Sequence, residues 1–207
     1  MTERIGPEMR RIRLEKGLSL RAVAASVGIS PSLLSQVETG KTRPSVSTLY
    51  GLVTHLGTSI DELMGNHEPR TAEAPSVPGL PPTAVQPLSP VQLAEDAPTI
   101  VMENGVIWKR LAVGSFGLVD PLVTTYAPGA SSSTEGHLMR HSGIEYGYII
   151  EGEISLSVDF EIFVLKAGDS LCFDSTRPHL YSNHTELEAK GLWFVLSEHG
   201  GGGDTQY

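Results

Sequence analysis

The sequence predicts two domains of different class, an all-α head followed by an all-β body. Three observations carry that reading. Up to residue 64, apolar residues recur at three- and four-residue spacing between serine and glycine punctuation, the pattern of short amphipathic helices. From Thr99 onward, runs rich in Val, Ile, Tyr and Phe alternate with Gly, Pro and Asp turns at short intervals, as in a sandwich or barrel. Between the two, residues 65–98 hold eight of the 14 prolines and keep neither period. The expected division is therefore a head over 1–64, a semi-extended proline-rich linker over 65–98, a β-body over 99–199 and a disordered glycine-rich tail over 200–207.

Five helices are expected in the head. Residues 5–16 give the first, with Ile5, Met9, Ile12 and Leu14 turned inward and Arg10, Arg11 and Lys16 on a solvated face. Ser19 caps the second, in which Leu20, Val23, Ala24 and Val27 share a face. Gly28 stops it, because a residue without Cβ accepts the left-handed conformation needed there. Ser30 then caps a third helix with Pro31 at its first position, where a missing N–H costs nothing. Leu34 and Val37 face inward; Ser32, Ser35 and Gln36 face outward. Gly40 ends this helix, and Lys41, Thr42 and Arg43 form an exposed loop before a further cap, Ser45. A fourth helix runs to Leu56 through Val46, Leu49, Leu52 and Val53, and Ser59 to Met64 makes a short fifth.

Gly17-Leu18-Ser19, Gly28-Ile29-Ser30, Ser35-Gln36-Val37-Glu38-Thr39-Gly40 and Pro44-Ser45 resemble the helix-turn-helix of the Cro/phage-repressor (XRE) family over about residues 5–64. The resemblance implies that Arg21 to Gly40 is the DNA-binding motif, with its second helix in the major groove. Ser32 and Gln36 fall where the family reads base edges. Glutamine can bond adenine N6 and N7 with both ends of its amide, whereas a serine hydroxyl discriminates less. Arg21, Ser30 and Ser35 complete the contact surface, and Lys41, Thr42 and Arg43 fall at phosphate-contacting positions. Glu38 is expected to pair with Arg13 rather than touch DNA.

Composition sets the wider frame. Net charge is −9, but it divides unevenly. Residues 1–64 hold eight Lys and Arg against six Asp and Glu, a net of +2, and the remainder hold seven against eighteen, a net of −11. An acidic body repels DNA at long range and leaves the head to approach it. A head with so little positive charge needs a dimer for firm binding. The single cysteine, Cys172, excludes an internal disulfide framework and fits a reducing compartment. No apolar run approaches the ~18 residues of a membrane span, so a cytoplasmic protein without a membrane partner is expected. No Ser/His/Asp arrangement, phosphate loop or CxxC pair is present.

Within the body, Pro128-Gly129, His141-Ser-Gly-Ile-Glu145 followed by Gly152, and Gly168-Asp169 followed by Pro178-His179 and Asn183 resemble the two motifs of the cupin fold, a double-stranded β-helix barrel, over about residues 105–196. The second motif matches well. In the first, the family has two histidines separated by one residue; His141 takes the second place and Met139 stands in the first. The resemblance leaves His141, Glu145 and His179 as the metal set. Four residues apart in a strand, His141 and Glu145 would point to one face, and His179 would join from another strand. Two imidazoles and a carboxylate suit one divalent ion, iron, zinc or nickel, with open positions beside it. Without a metal, the same three residues become polar anchors of an effector pocket lined by Tyr126, Tyr146, Tyr148, Phe173 and Trp193. His137 and His184 read as solvated, and Cys172 as structural.

The joint resemblance implies a transcriptional regulator. Its head binds double-stranded operator DNA as part of a homodimer, and its barrel senses a small-molecule effector. An enzyme is the alternative. Some mononuclear iron oxygenases and epoxidases, a phosphonate epoxidase among them, resemble this layout and hold iron with a His, a Glu four residues later and a distant His. Retention of Gln36, Lys41 and Arg43 on the base-reading surface favours the regulator.

Overall fold

The computed structural model describes residues 5–58, 60–63, 91–112 and 119–196. The head contains α1 (Ile5–Glu15), α2 (Leu20–Val27), α3 (Pro31–Glu38) and α4 (Val46–Leu56), followed by a single turn, α5 (Ile60–Leu63). The expected five-helix head is thus four full helices with the last element cut to one turn. The serine caps form as read. Ser19, Ser30 and Ser45 accept hydrogen bonds from the backbone N–H of Ala22, Leu33 and Thr48 at 3.1, 3.1 and 3.2 Å, satisfying donors that a helix start otherwise leaves open. Gly28 sits at φ 75° and closes α2 by donating to Ala25 O.

Met9, Ile12, Val23, Ala24, Leu34, Val37, Leu49, Leu52 and Leu56 form the head's core. Leu14 departs from expectation and is 56% exposed. The neighbouring Arg13 is buried in its stead, because Glu38 receives its guanidinium in a forked pair, Nε to Oε1 at 2.5 Å and Nη2 to Oε2 at 2.8 Å. Arg13 also donates to Leu18 O at 2.9 Å, so one buried cation ties α1, α3 and the turn before α2.

The body has nine strands: β1 (Thr99–Val101), β2 (Val106–Arg110), β3 (Val119–Tyr126), β4 (Ile144–Glu151), β5 (Glu153–Val158), β6 (Glu161–Lys166), β7 (Ser170–Asp174), β8 (His179–Ser182) and β9 (Ala189–Leu196). They form a six-stranded sheet in the order β1-β2-β3-β9-β4-β7 and a three-stranded sheet in the order β6-β5-β8. The expected barrel is therefore two facing sheets rather than a closed ring of ladders. Every named pairing is antiparallel. Alternation is clean on β5, where Ile154, Leu156 and Val158 are buried, and on β9, where Trp193 and Val195 point inward. These inner faces make the body's core.

The linker reading falls mostly on residues outside those described, as does the tail. Where description resumes, the Gln92 side chain donates to Arg110 O at 2.8 Å, so the chain runs along the β-body before β1 begins. Among the described residues no helix is long and apolar enough to cross a membrane.

Candidate functional site

Two surfaces carry the candidate chemistry: the outward face of α3 and the space between the two sheets. On α3, Ser32, Ser35 and Gln36 are exposed on the side opposite Leu34 and Val37. Arg21, Lys41 and Arg43 are exposed nearby, and Thr42 is half-buried. Ser30 is exposed, but its hydroxyl oxygen already accepts from Leu33 N–H. The loop after α3 is held by Gln36 O, which accepts from Lys41 N–H at 2.8 Å. Glu38 is turned away from this face into its pair with Arg13. On α1, Arg11 is engaged by Glu8 and Glu15, both at 2.6 Å.

Between the sheets, His141, Glu145 and His179 are all buried, and their ligand atoms lie within 4.8 Å of one another. Glu145 comes from β4 and His179 from the start of β8. His141 does not share a strand with Glu145 as expected. It precedes β4, and its N–H donates to Ser175 O at 3.1 Å, which fixes it beside the end of β7. Convergence therefore comes from a backbone tie to another strand, not from strand parity.

Glu145 Oε1 lies 2.7 Å from His141 Nε2 and 3.2 Å from His179 Nε2. Its other oxygen accepts from the Tyr181 hydroxyl at 2.7 Å. The remaining ring nitrogens face carbonyls, His141 Nδ1 toward Ser142 O at 3.3 Å and His179 Nδ1 toward Arg177 O at 2.8 Å. A carbonyl only accepts, so both Nδ1 atoms donate. In a ring without a second proton, that leaves the Nε2 lone pair aimed at the carboxylate. Three electron-rich atoms facing one another, none with a hydrogen-bond partner, call for a proton or a cation between them. These residues fit a divalent ion: the ligand atoms converge, and each ligand's outer atom is already oriented. Burial alone pushes the Glu145 carboxyl up; with that proton on the imidazoles, their hydrogen bonds and charge, His141 first and then His179, outweigh burial and hold the carboxyl below the usual carboxylate range. Burial, and then the Glu145 charge, push the Tyr50, Tyr126 and Tyr181 phenols up, so all three stay neutral.

The cavity beside these residues is lined by Val46, Tyr50, Trp108, Leu122, Thr124, Tyr126, Met139, Glu145, Tyr181, Trp193 and Val195. Tyr126 and Trp193 line it, and Phe173 packs edge-on against His179 at 5.0 Å. Tyr148 is a correction. It is 48% exposed on the outer face of β4, with Tyr146 at 46%, because Tyr148 is an odd step along the strand from Glu145 and strand parity sends it the other way. Met139 lines the cavity where a family histidine would stand, bridged to His179. His137 is exposed beside Glu135, His184 is exposed, and Cys172 is exposed. Tyr181 was missed although its parity with His179 could have found it. Trp108 and Thr124, opposite one another on β2 and β3, carry no sequence signal for the site. Nor do Val46 and Tyr50, which come from the other domain.

Two family models match, one for the helix-turn-helix over residues 9–63 and one for the cupin domain over residues 122–195. The helix-turn-helix-type transcriptional regulator PuuR of Escherichia coli K12 is 28% identical over 195 residues, covering 94% of this chain and 93% of that one. A helix-turn-helix-type regulator of Sinorhizobium fredii, y4dJ, is 42% identical over 64 residues, covering 31% of this chain and 83% of its own. The crystal structure of a transcriptional regulator of the same helix-turn-helix family from Vibrio cholerae superimposes with a TM-score of 0.63 at 21% identity, covering 94% of this chain and 96% of that one. That last likeness speaks for the fold. The relative matched over 94% of this chain is named as a transcriptional regulator, which favours the regulator reading over the iron-oxygenase alternative. The chain belongs to the XRE-type helix-turn-helix transcriptional regulators that carry a C-terminal cupin domain.

Proposed function

We propose that this DNA-binding regulator reads a two-fold operator as a homodimer, and that its cupin cavity senses a small molecule. The observation that carries the DNA-reading part is the division of labour on α3. Ser32, Ser35 and Gln36 stand free on one side, flanked by Lys41 and Arg43, while the other side is sealed into the head by Leu34, Val37 and the Arg13–Glu38 pair. A helix so presented can enter a major groove with its polar row toward the base edges and the basic loop against phosphate.

Sensing is supported by the aromatic cavity with a few converging polar groups, the usual construction of a small-molecule site. His141 Nε2, Glu145 Oε1 and His179 Nε2 would hold iron, zinc or nickel. Such an ion would screen the buried carboxylate and offer open positions to an effector. Dimerisation is supported by the outer face of β4 and β9, where Ile144, Tyr146, Tyr148, Ile150, Phe194 and Leu196 are each 37–48% exposed. An apolar patch on an acidic body is the surface on which a second acidic copy can approach.

The test is fluorescence anisotropy on DNA selected from a random duplex pool and on unselected DNA, each over a range of salt. Full-length protein should prefer the selected sequence by about 10³ or more at moderate salt. Equal affinity for both at every salt concentration would reduce the head to a non-specific polycation.

A further inference from the structure

Helix α4 packs on two sides. Leu49, Leu52, Val53 and Leu56 close the head's own core, whereas Val46 and Tyr50, one turn apart beside that row, enter the cavity of the β-body. The Tyr50 ring lies flat on His141, with centroids 4.1 Å apart and planes 3° from parallel, and meets Trp108 edge-on at 5.4 Å. Two backbone hydrogen bonds fasten the same seam: Ser47 N–H donates to Ser132 O at 3.0 Å, and Glu103 N–H donates to Pro44 O at 3.1 Å. Ser47 N–H is among the first donors of α4, which no helix carbonyl can satisfy. The β-body supplies the acceptor.

With the phenol ring seated, the cavity left free is about 20 Å³, room for about one water. A single ion at the His/Glu set is compatible with that ring, but an organic molecule of ring size does not fit in this cavity beside it. Trp108 Nε1 and Thr124 Oγ1, both lining this cavity, are buried without a hydrogen-bond partner. Native proteins seldom leave buried polar atoms so, and their placement points to a ligand with a hydrogen-bonding group of its own.

We propose that Tyr50 is an internal occupant of the sensor's ligand site, and that a planar one-ring molecule bearing a hydrogen-bonding group takes its place and releases the DNA-binding head. This rests on the reading of the cavity as a sensor. The ring requirement follows from what must be replaced, a parallel stack on His141 and an edge contact to Trp108. Because ligand and docked head exclude one another, the ligand binds one state alone, the condition for a full shift of the equilibrium. In the docked head Gln36, Lys41 and Arg43 are all exposed, so docking leaves the DNA-reading surface clear while fixing its position. A released head pays more ordering entropy to reach its half-site. Ligand entry therefore lowers operator affinity.

The test uses full-length protein and p-cresol, which reproduces the tyrosine side chain. Hydrogen exchange at the amides of residues 46–51 reports docking, and fluorescence of Trp108 and Trp193, the two tryptophans, reports cavity filling. In Tyr50→Ala, exchange at Ser47 should rise about tenfold or more and p-cresol should return it toward the wild-type value by filling the vacated space. Tyr50→Phe, which keeps the stack, should behave as wild type. In the wild-type protein p-cresol should bind about tenfold more weakly than in Tyr50→Ala and should raise Ser47 exchange, since it competes with docking. Equal p-cresol affinity for the two proteins, or Ser47 exchange unchanged in both, overturns the proposal. If Tyr50→Ala does not fold, the wild-type arm decides alone: p-cresol that binds without raising Ser47 exchange, or that fails to bind up to its solubility limit, overturns it. Loss of DNA recognition would sink the regulator reading while leaving these outcomes as they are, so the two failures are distinguishable.

Discussion

Gln36 on α3 and Arg43 in the loop after it are both exposed, but they would make different demands on DNA. A bidentate amide contact to adenine is specific, so Gln36→Ala should cost about 1–3 kcal/mol on the selected site and relax preference at one base pair. A guanidinium on phosphate is indifferent to sequence. Arg43→Ala should weaken all duplexes alike and flatten the slope of log affinity against log salt by about one. Anisotropy titrations on matched and mismatched duplexes separate the two, and a uniform loss for Gln36→Ala would remove it from the base-reading set. Glu38 is different again. Its removal strands the buried Arg13 guanidinium, so Glu38→Ala should destabilise the head by about 3–5 kcal/mol in denaturant unfolding; a loss below about 1 kcal/mol would mean the pair contributes little. At this scale the sequence was legible wherever spacing and chemistry coincided. Ser30, Gly28 and the His141, Glu145 and His179 set were found because each needs a particular residue type at a particular step. Leu14 departs from its helical period because periodicity does not foresee an ion pair drawing Arg13 inward, and Tyr148 turns outward because strand parity from Glu145 overrides its aromatic character.

At the scale of elements, β4 serves two surfaces at once: it carries Glu145 inward, while Tyr146 and Tyr148 stand outward at 46% and 48% exposure. A charge on the outer face should disturb assembly and spare the cavity. Tyr146→Glu is expected to shift sedimentation toward the monomer while melting cooperatively; an unchanged sedimentation coefficient would move the dimer contact elsewhere. The inward face is tested by metal. Added zinc, iron(II) or nickel should raise the melting temperature, with about 2.7 kcal/mol of stabilisation when the ion is at 100 times its dissociation constant. Glu145→Ala should abolish that rise, and a metal-induced rise that survives the substitution would place the ion outside this set. Strand existence was readable from alternation. Sheet partition was not, because period-two patterning says which face a residue takes but not which neighbour it pairs with. Helix α4 held the largest surprise. Val46 and Tyr50 lie beside the Leu49, Leu52, Val53 and Leu56 row, and nothing local distinguishes a helix buried by its own domain from one shared between two.

For the whole molecule, the charge division has a structural counterpart. The head with a net of +2 presents α3 outward, and the rest of the chain, with a net of −11, contributes the cavity and the apolar patch on β4 and β9. In the proposed homodimer each modest head would gain by acting in a pair, because two recognition helices related by a two-fold axis read half-sites about one helical turn apart, 10–10.5 base pairs centre to centre. The measurement that tests this most directly is selection of binding sites from a random duplex pool by full-length protein, followed by sequencing. The account predicts an enriched inverted repeat with half-sites at that spacing, and loss of preference at one symmetric position per half-site when the selection is repeated with Gln36→Ala. A pool that stays random, or a single asymmetric motif unchanged by Gln36→Ala, would contradict it.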